Sequence, residues 1–188
     1  MKIVGIVCSP RKGGNTEILV TEALNAAREA GSETELILVA DSKIAPCDGC
    51  NACSKSGVCR IEDDMQDIYR SLEEADGIIF GTPSYFNNVS AQAKAVIDRT
   101  YVSLLHGKLR GKVAAAIVAA RRIGGGQILS LLYSYFTVQG MMIAGGGIGY
   151  GLDKGDVREG PGGSPVFTAI EEAQAVGRRV VKTIRKIS

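Results

Sequence analysis

Near the N-terminus, residues 3–16 read Ile3-Val4-Gly5-Ile6-Val7-Cys8-Ser9-Pro10-Arg11-Lys12-Gly13-Gly14-Asn15-Thr16. The apolar, β-branched run 3–7 is typical of a strand that is buried on both faces, as in a parallel sheet. Ser9 and Pro10 end this strand, and Asn15 or Thr16 can cap the helix that follows. The stretch therefore predicts an α/β fold that opens with a buried strand, a polar loop and a helix.

The same alternation of strand and helix continues along the rest of the chain. Predicted strands lie at 3–7, 34–39, 77–81, 113–119 and 141–144, and the more mixed second strand suits a sheet edge. Amphipathic helices follow them, the last one capped by Ser164 with Pro165 at its first position, while the glycine-rich segment 145–163 is predicted to be a loop. Five strands with helical crossovers predict a five-stranded parallel sheet with helices on both faces.

Length and composition place this sheet in a single domain over residues 1–188. The formal charge is only +2, which favours neither nucleic acid nor an anionic membrane as a partner. No apolar run has the length of a signal peptide or a membrane span, so we expect a cytoplasmic protein whose cysteines stay reduced. The basic C-terminal residues follow acidic ones along the last helix, a gradient that matches the helix dipole.

The loop after the first strand has the chemistry of an anion site. It precedes a helix N-terminus, where unpaired N–H groups favour a phosphate. Ser9, Arg11, Asn15 and Thr16 can bind phosphate oxygens, and Gly13-Gly14 allow close backbone approach. The loop lacks both the Walker ending and the G-x-G-x-x-G pattern, so the phosphate monoester of a small cofactor fits best, although a polar helix-capping turn is the alternative.

Four of the five cysteines lie in one short run, Cys47, Cys50, Cys53 and Cys59, within a loop at 44–62. The spacing C-x2-C-x2-C-x5-C brings soft thiolates together, which suits an iron-sulfur cluster or zinc. Three cysteines at intervals of three resemble the opening of ferredoxin cluster motifs, so a 4Fe-4S cluster is favoured over zinc, and unligated thiols are the remaining alternative. Since the loop follows a strand, we expect it beside the phosphate loop.

Three segments together resemble the flavodoxin-like NAD(P)H-dependent FMN reductase superfamily: residues 5–16, Gly81-Thr82-Pro83-Ser84-Tyr85-Phe86 and Lys94-Ala95-Val96-Ile97-Asp98-Arg99. The cysteine loop narrows the resemblance to the iron-sulfur flavoproteins. It implies a flavodoxin-like, doubly wound sheet of order 2-1-3-4-5 and bound FMN. The FMN residues it implies are Ser9, Arg11, Gly14, Asn15 and Thr16 at the phosphate, and Pro83, Ser84, Tyr85, Phe86 and Asn88 at the isoalloxazine ring.

The function that follows is an FMN-dependent oxidoreductase with no catalytic residue beyond the flavin. Electrons would pass from a one-electron donor such as ferredoxin through the cluster to FMN, and then to a small two-electron acceptor. The resemblance also implies a homodimer or homotetramer. An NAD(P)H-dependent FMN or quinone reductase without a working cluster, and a non-catalytic electron carrier or redox sensor, are the alternatives.

Four further residues carry less definite expectations. Cys8 stands where the relatives more often have glycine or serine, and we expect a small core residue there. Arg121 and Arg122 follow the fourth strand and could stabilise a reduced flavin, bind an acceptor or be plain surface charge. His106, the only histidine, is expected at the surface or in packing.

Overall fold

The computed structural model describes residues 1–158 and 168–187. Its five strands form one parallel sheet in the order β2-β1-β3-β4-β5, which confirms the predicted flavodoxin-like topology and the edge position of the second strand. The strands are β1 (Lys2–Val7), β2 (Glu33–Leu38), β3 (Gly77–Pro83), β4 (Val113–Ala120) and β5 (Met142–Tyr150).

Helices cover both faces of this sheet. They are α1 (Asn15–Glu29), α2 (Cys53–Ser56), α3 (Met65–Glu74), α4 (Ala91–Arg99), α5 (Tyr101–Leu105), α6 (Gly125–Val138) and α7 (Ala169–Ile187). Short 3₁₀ turns span Val39–Asp41 and Asp156–Arg158. Among the described helices, none is both long and apolar enough to cross a membrane.

The alternation of side chains along the central strands divides the core into two layers. Val4 and Ile6 of β1 belong to the layer that α3, α4 and α6 cover, while Ile3 and Val7 belong to the layer under α1 and α7. Every residue of β3 and β4 is buried, as expected of central strands in a sheet covered on both faces. The short apolar runs in the sequence therefore mark the centre of the sheet.

The first part of the predicted loop 145–163 differs from the prediction, while residues 159–163 lie outside the described residues. Instead of leaving the sheet after residue 144, the chain continues as strand β5 and pairs with β4 as far as Tyr150. The glycines allow helices to pack closely on this edge strand: a Cβ at Gly146 would lie 2.8 Å from both the Leu129 side chain and the Ala116 carbonyl oxygen. Glycine here serves close packing rather than a turn.

Two helix boundaries also differ from the sequence prediction, and a third is not tested. Gly14, not Asn15 or Thr16, precedes the first turn of α1. The helix predicted to reach Leu104 is divided at Thr100 into α4 and α5. Ser164 and Pro165, the predicted start of the last helix, lie outside the described residues. The predicted cap at Ser90 is confirmed, because its side chain accepts a hydrogen bond from Ala93 N.

Candidate functional site

A cavity lies at the carboxyl edge of the sheet, where β1, β3 and β4 end. Its volume is about 260 Å³, close to the lower end of the range for small-molecule sites. It brings together eight of the ten predicted FMN residues: Ser9, Arg11, Gly14, Asn15, Thr16, Pro83, Ser84 and Tyr85. Phe86 and Asn88 do not line it, so the structure separates these two from the rest of the predicted set.

The phosphate end of this cavity is formed by the loop between β1 and α1. Ser9 is buried and its Oγ accepts a hydrogen bond from Arg11 N at 3.2 Å, which fixes the turn. Gly14 offers no side chain to cap α1, so the N–H groups of the first turn have no side-chain cap. One donor of the loop is occupied, because Gly13 N donates to the Glu17 carboxylate at 2.6 Å.

Asn15 has a role that its position in the sequence does not indicate. Its Nδ2 donates to Asp153 O at 2.9 Å, and its Oδ1 accepts from Gly155 N at 2.7 Å. The Asp156 carboxylate fixes the same loop by accepting from the N–H groups of Leu152 and Asp153. Asn15 thus ties the loop after β5 to the phosphate loop, and Lys154 of that loop lines the cavity.

The opposite end of the cavity is formed by the turn after β3. Ser84 N donates to Ala119 O at 2.8 Å, which joins this turn to the end of β4. Tyr85 and Asn88 exchange two backbone hydrogen bonds of 2.9 Å around Phe86 and Asn87, whose φ angles are 50° and 59°. Positive φ at both central residues is typical of a type I′ turn and is unusual for phenylalanine. The turn leaves the Phe86 side chain fully exposed.

The charge at this edge suits the phosphate of FMN. Arg11, Arg121 and Lys154 line the cavity together with one acidic residue, Asp153, so cations outnumber acids around the helix N-terminus. A phosphate there would meet Ser9, Arg11 and the first N–H groups of α1, and Pro83 to Tyr85 would contact the flat ring. Arg122 is exposed and does not line the cavity.

The four loop cysteines line a second cavity of about 270 Å³. Burial raises the pKa of the Cys53 thiol, and the neighbouring Cys59, Cys50 and Cys47 raise it further, which shows that the four thiols lie near one another. In residues 1–158 and 168–187, no three histidine, cysteine or acidic side chains are arranged as a preformed metal site. The soft donor set and the shared cavity fit a thiolate-bound group.

One buried ion pair fixes the ends of the cysteine loop. The Arg99 side chain has no exposed surface, and its two terminal nitrogens donate to the Asp63 carboxylate at 2.7 and 2.9 Å. The same nitrogens donate to Ala45 O at 2.9 Å, before the first cysteine, and to Ile61 O at 3.2 Å, after the last. Asp63 in turn accepts from Ala45 N at 2.8 Å and Met65 N at 3.1 Å.

The pKa shifts of this pair agree with its geometry. Burial acts to raise the pKa of Asp63, but hydrogen bonds from Arg99 and from the N–H groups of Ala45 and Met65 outweigh it and hold the pKa below its ordinary value. Burial acts to lower the pKa of Arg99, whereas the hydrogen bond to Asp63 raises it above the ordinary value. Both groups are therefore charged at neutral pH.

The interior of the loop has weaker supports. His106 lies with its Nε2 2.9 Å from Cys53 O, so its surface position serves the cysteine loop. Arg60 forms an exposed ion pair with Asp48, and hydrogen bonds from Cys50 lower the pKa of Asp48. Cys8, by contrast, is fully buried at the end of β1 and belongs to the core, as predicted.

The two cavities have no lining residue in common within the described parts of the chain. The cysteine loop begins at the carboxyl edge, where Lys12 forms an ion pair with Asp41, but its cavity lies against Arg99, Tyr101 and Val102. Helix α4 begins beside Cys8 O, to which Ser90 donates, and Arg99 ends this helix about 13 Å further along. The two cavities are therefore separate, and the expectation that they lie at one edge of the sheet stays a prediction.

Sequence reasoning missed the Arg99–Asp63 pair, although one signal was present. Ala93, Val96 and Arg99 recur at intervals of three, which places the arginine on the buried face of α4. An arginine on an apolar face requires a carboxylate partner, and Asp63 lies 36 residues earlier in the chain. The pattern could have indicated a buried pair but not which acid completes it.

Comparison with known proteins identifies the family. The sequence model of the NADPH-dependent FMN reductases matches residues 1–151. An iron-sulfur flavoprotein of Methanocaldococcus jannaschii is 39% identical, with 100% of this chain and 99% of the relative aligned. An iron-sulfur flavoprotein of Methanosarcina thermophila is 40% identical over 77% of this chain and 78% of its own.

Solved structures agree with the fold. RosB with a bound riboflavin-phosphate derivative superposes with a TM-score of 0.78, 19% identity and coverage of 100% of this chain and 80% of its own. The apo form of an NADH:FMN oxidoreductase gives a TM-score of 0.72 at 17% identity, covering 97% of this chain and 89% of its own. The chain belongs to the NADPH-dependent FMN reductase family and, within it, to the iron-sulfur flavoproteins, and it is an FMN-dependent oxidoreductase.

Proposed function

We propose that this flavoprotein accepts electrons one at a time at a 4Fe-4S cluster in the cysteine cavity and delivers them in pairs from FMN to a small acceptor. The observation that carries the proposal is the convergence of Cys47, Cys50, Cys53 and Cys59 on one cavity that is separate from the predicted FMN site. The name of the relatives, iron-sulfur flavoprotein, supports the same conclusion.

The residue types in the two cavities suit these two groups. A cluster held by four thiolates supplies one-electron transfer, whereas FMN can take up two electrons and transfer them together. Zinc would brace the loop without exchanging electrons, and the compact cysteine spacing favours the cluster over it. In one turnover two molecules of reduced donor are oxidised, and the acceptor gains two electrons together with the protons that its chemistry requires from water.

The chain's own residues bind and position the flavin. Arg11 and the first turn of α1 would hold the phosphate, while Asn15 fixes the loop that carries Lys154 beside it. Ser84 and Tyr85 would contact the isoalloxazine ring. Phe86 and Asn88 lie outside the cavity, so their predicted contacts would require part of the flavin to extend beyond it. Arg121 lines the same cavity, where its charge can stabilise an electron-rich flavin or an anionic acceptor.

The proposed partners are an electron donor and further copies of this chain. Ferredoxin or a similar donor supplies the electrons in the cytoplasm. Because the two cavities have no lining residue in common, we place the cysteine cavity of one chain against the flavin cavity of another in a homodimer or homotetramer. The fully exposed Phe86 is available for such a contact.

The proposal is tested by replacing a cluster cysteine and, as a matched control, a cysteine outside the loop. Wild type and Cys8→Ala should show rapid FMN bleaching with enzymatically reduced ferredoxin under anaerobic conditions. Cys50→Ala should retain FMN but bleach at least tenfold more slowly, because the entry point for single electrons is lost. Equal bleaching rates in all three proteins would sink the proposal.

One alternative has support of its own, since the matching family is described as NADPH-dependent. A direct NAD(P)H-dependent FMN or quinone reductase would bleach its flavin rapidly with NAD(P)H in iron-free protein. A carrier or sensor would be bleached by the donor without turning over any small acceptor. Iron-free protein assayed with NADH, NADPH and ferredoxin, with and without a quinone, separates the three functions.

A further inference from the structure

The guanidinium of Arg99 is almost completely hydrogen-bonded, but one donor is left over. Arginine has five N–H donors, and the four on the terminal nitrogens are used by Asp63, Ala45 and Ile61. The Nε atom is buried and has no hydrogen-bond partner among the described residues. The Tyr69 hydroxyl also interacts with this guanidinium, but Nε itself makes no hydrogen bond to any described residue. A buried charged donor left without one is unusual, which indicates a further partner besides the described residues.

The position of Arg99 indicates where that partner lies. Arg99 lines the cavity that contains the four cysteines. The other cation of this cavity, Arg60, is exposed and already paired with Asp48. In the described part of the lining, Arg99 is therefore the one buried positive charge, and it lines the same cavity as four thiols that become anionic when they bind metal.

We propose that Arg99 compensates the charge of the cluster, its Nε–H donating to a sulfur in the cysteine cavity. This inference rests on the proposed function. A 4Fe-4S cluster with four thiolates is an anion, and it becomes more negative when it accepts an electron. Hydrogen bonds to the sulfurs and nearby net charge set the reduction potential of such clusters. Arg99 thus favours the reduced form of the cluster and promotes electron transfer from the donor to it.

A purely structural function of Arg99 gives a different expectation. Arg99 and Asp63 fix the loop together, so removal of either residue would disturb the loop in the same direction. The two residues have opposite charges, however. If their charge acts on the cluster, neutralising Arg99 lowers its reduction potential, whereas neutralising Asp63 raises it.

The experiment compares Arg99→Gln, Arg99→Lys and Asp63→Asn in anaerobically purified protein. The readout is the midpoint potential of the cluster, followed by its visible and EPR spectra, with bound FMN as the measure of correct folding. Arg99→Gln should shift the one-electron equilibrium about tenfold toward the oxidised form, which equals about 59 mV. Arg99→Lys, which keeps the charge, should shift it less, and Asp63→Asn should shift it the opposite way.

Each outcome decides the inference. Shifts of equal sign in Arg99→Gln and Asp63→Asn, or no shift in either, would overturn it and leave Arg99 as a loop anchor. If Arg99→Gln retains FMN but holds no cluster, the midpoint potential of the cluster in Asp63→Asn decides. An unchanged or lower potential in that variant overturns the inference. Loss of the cluster in both variants would also overturn it. A wild-type protein without iron would instead refute the proposed function.

Discussion

The two sites of this protein are built in different ways. The predicted flavin cavity is formed at the ends of β1, β3 and β4, where the sheet itself fixes the backbone positions. The cysteine cavity is formed by a loop whose cysteine positions are all partly or fully exposed and whose ends are held by one buried ion pair. The first site therefore depends on the whole fold, and the second depends on Arg99 and Asp63.

This difference suggests how the two sites respond to change. A side-chain replacement in the flavin cavity removes one contact and leaves the frame in place. Removal of one partner of the ion pair leaves an uncompensated buried charge and frees both ends of the cysteine loop. Four changes test this contrast, and their expected effects decrease from the first to the last.

The largest effect is expected for Asp63→Ala. It should lower the free energy of unfolding by about 3–5 kcal/mol, the range for breaking a buried ion pair. Urea unfolding monitored by circular dichroism measures this change. The control is Asp67→Ala, because Asp67 pairs with Arg70 at a largely exposed position and its loss should cost under about 1 kcal/mol. Equal costs would contradict the assignment of Arg99–Asp63 as the anchor.

A smaller effect, on binding rather than folding, is expected for Arg11→Ala. The loss of a charge-assisted hydrogen bond to the phosphate should weaken FMN binding by about 1.5–3 kcal/mol. Fluorescence quenching on titration of the apoprotein with FMN measures the affinity. Arg70→Ala, outside both cavities, should leave it unchanged, and an unchanged affinity in Arg11→Ala would refute the phosphate assignment.

The turn after β3 should become more stable when its strain is relieved. Phe86→Gly replaces a bulky residue at positive φ and should raise the free energy of unfolding by about 1 kcal/mol. Asn87→Gly is the matched control, since asparagine already tolerates this conformation and should gain less. The FMN affinity of the same two variants tests the predicted contact of Phe86 with the flavin ring. If that contact exists, FMN binds more weakly to Phe86→Gly but not to Asn87→Gly.

The smallest effect concerns pH. The pKa of Asp63 is lower in the folded protein than its ordinary value of about 3.9. The unfolded chain then binds more protons in the acid range, so the contribution of Asp63 to stability is complete above about pH 4 and is lost as the pH falls through the folded-state pKa. Acid unfolding of Asp63→Asn should be less steep below pH 4 than that of wild type. Parallel curves would contradict this linkage.

The sequence predicted the frame of the molecule more fully than the connections between its parts. The run Ile3–Val7 and the later apolar strands predict the sheet, because burial on both faces leaves a local pattern. The cysteine spacing likewise predicts the shared cavity. Asn15 and Gly155 are 140 residues apart, and Arg99 and Asp63 are 36 apart, so no local pattern reveals these contacts. The predicted fifth strand ends too early because the glycines of β5 have the composition of a loop.

We propose above all that one chain holds two redox groups at two separate sites. Protein purified without oxygen, to protect the thiolates, should be analysed for iron, acid-labile sulfide, zinc and FMN. We expect about four iron and four sulfide for each FMN, as a 4Fe-4S cluster requires, with one FMN per chain. A full complement of FMN with zinc in place of iron and sulfide, or with four free thiols, would contradict it.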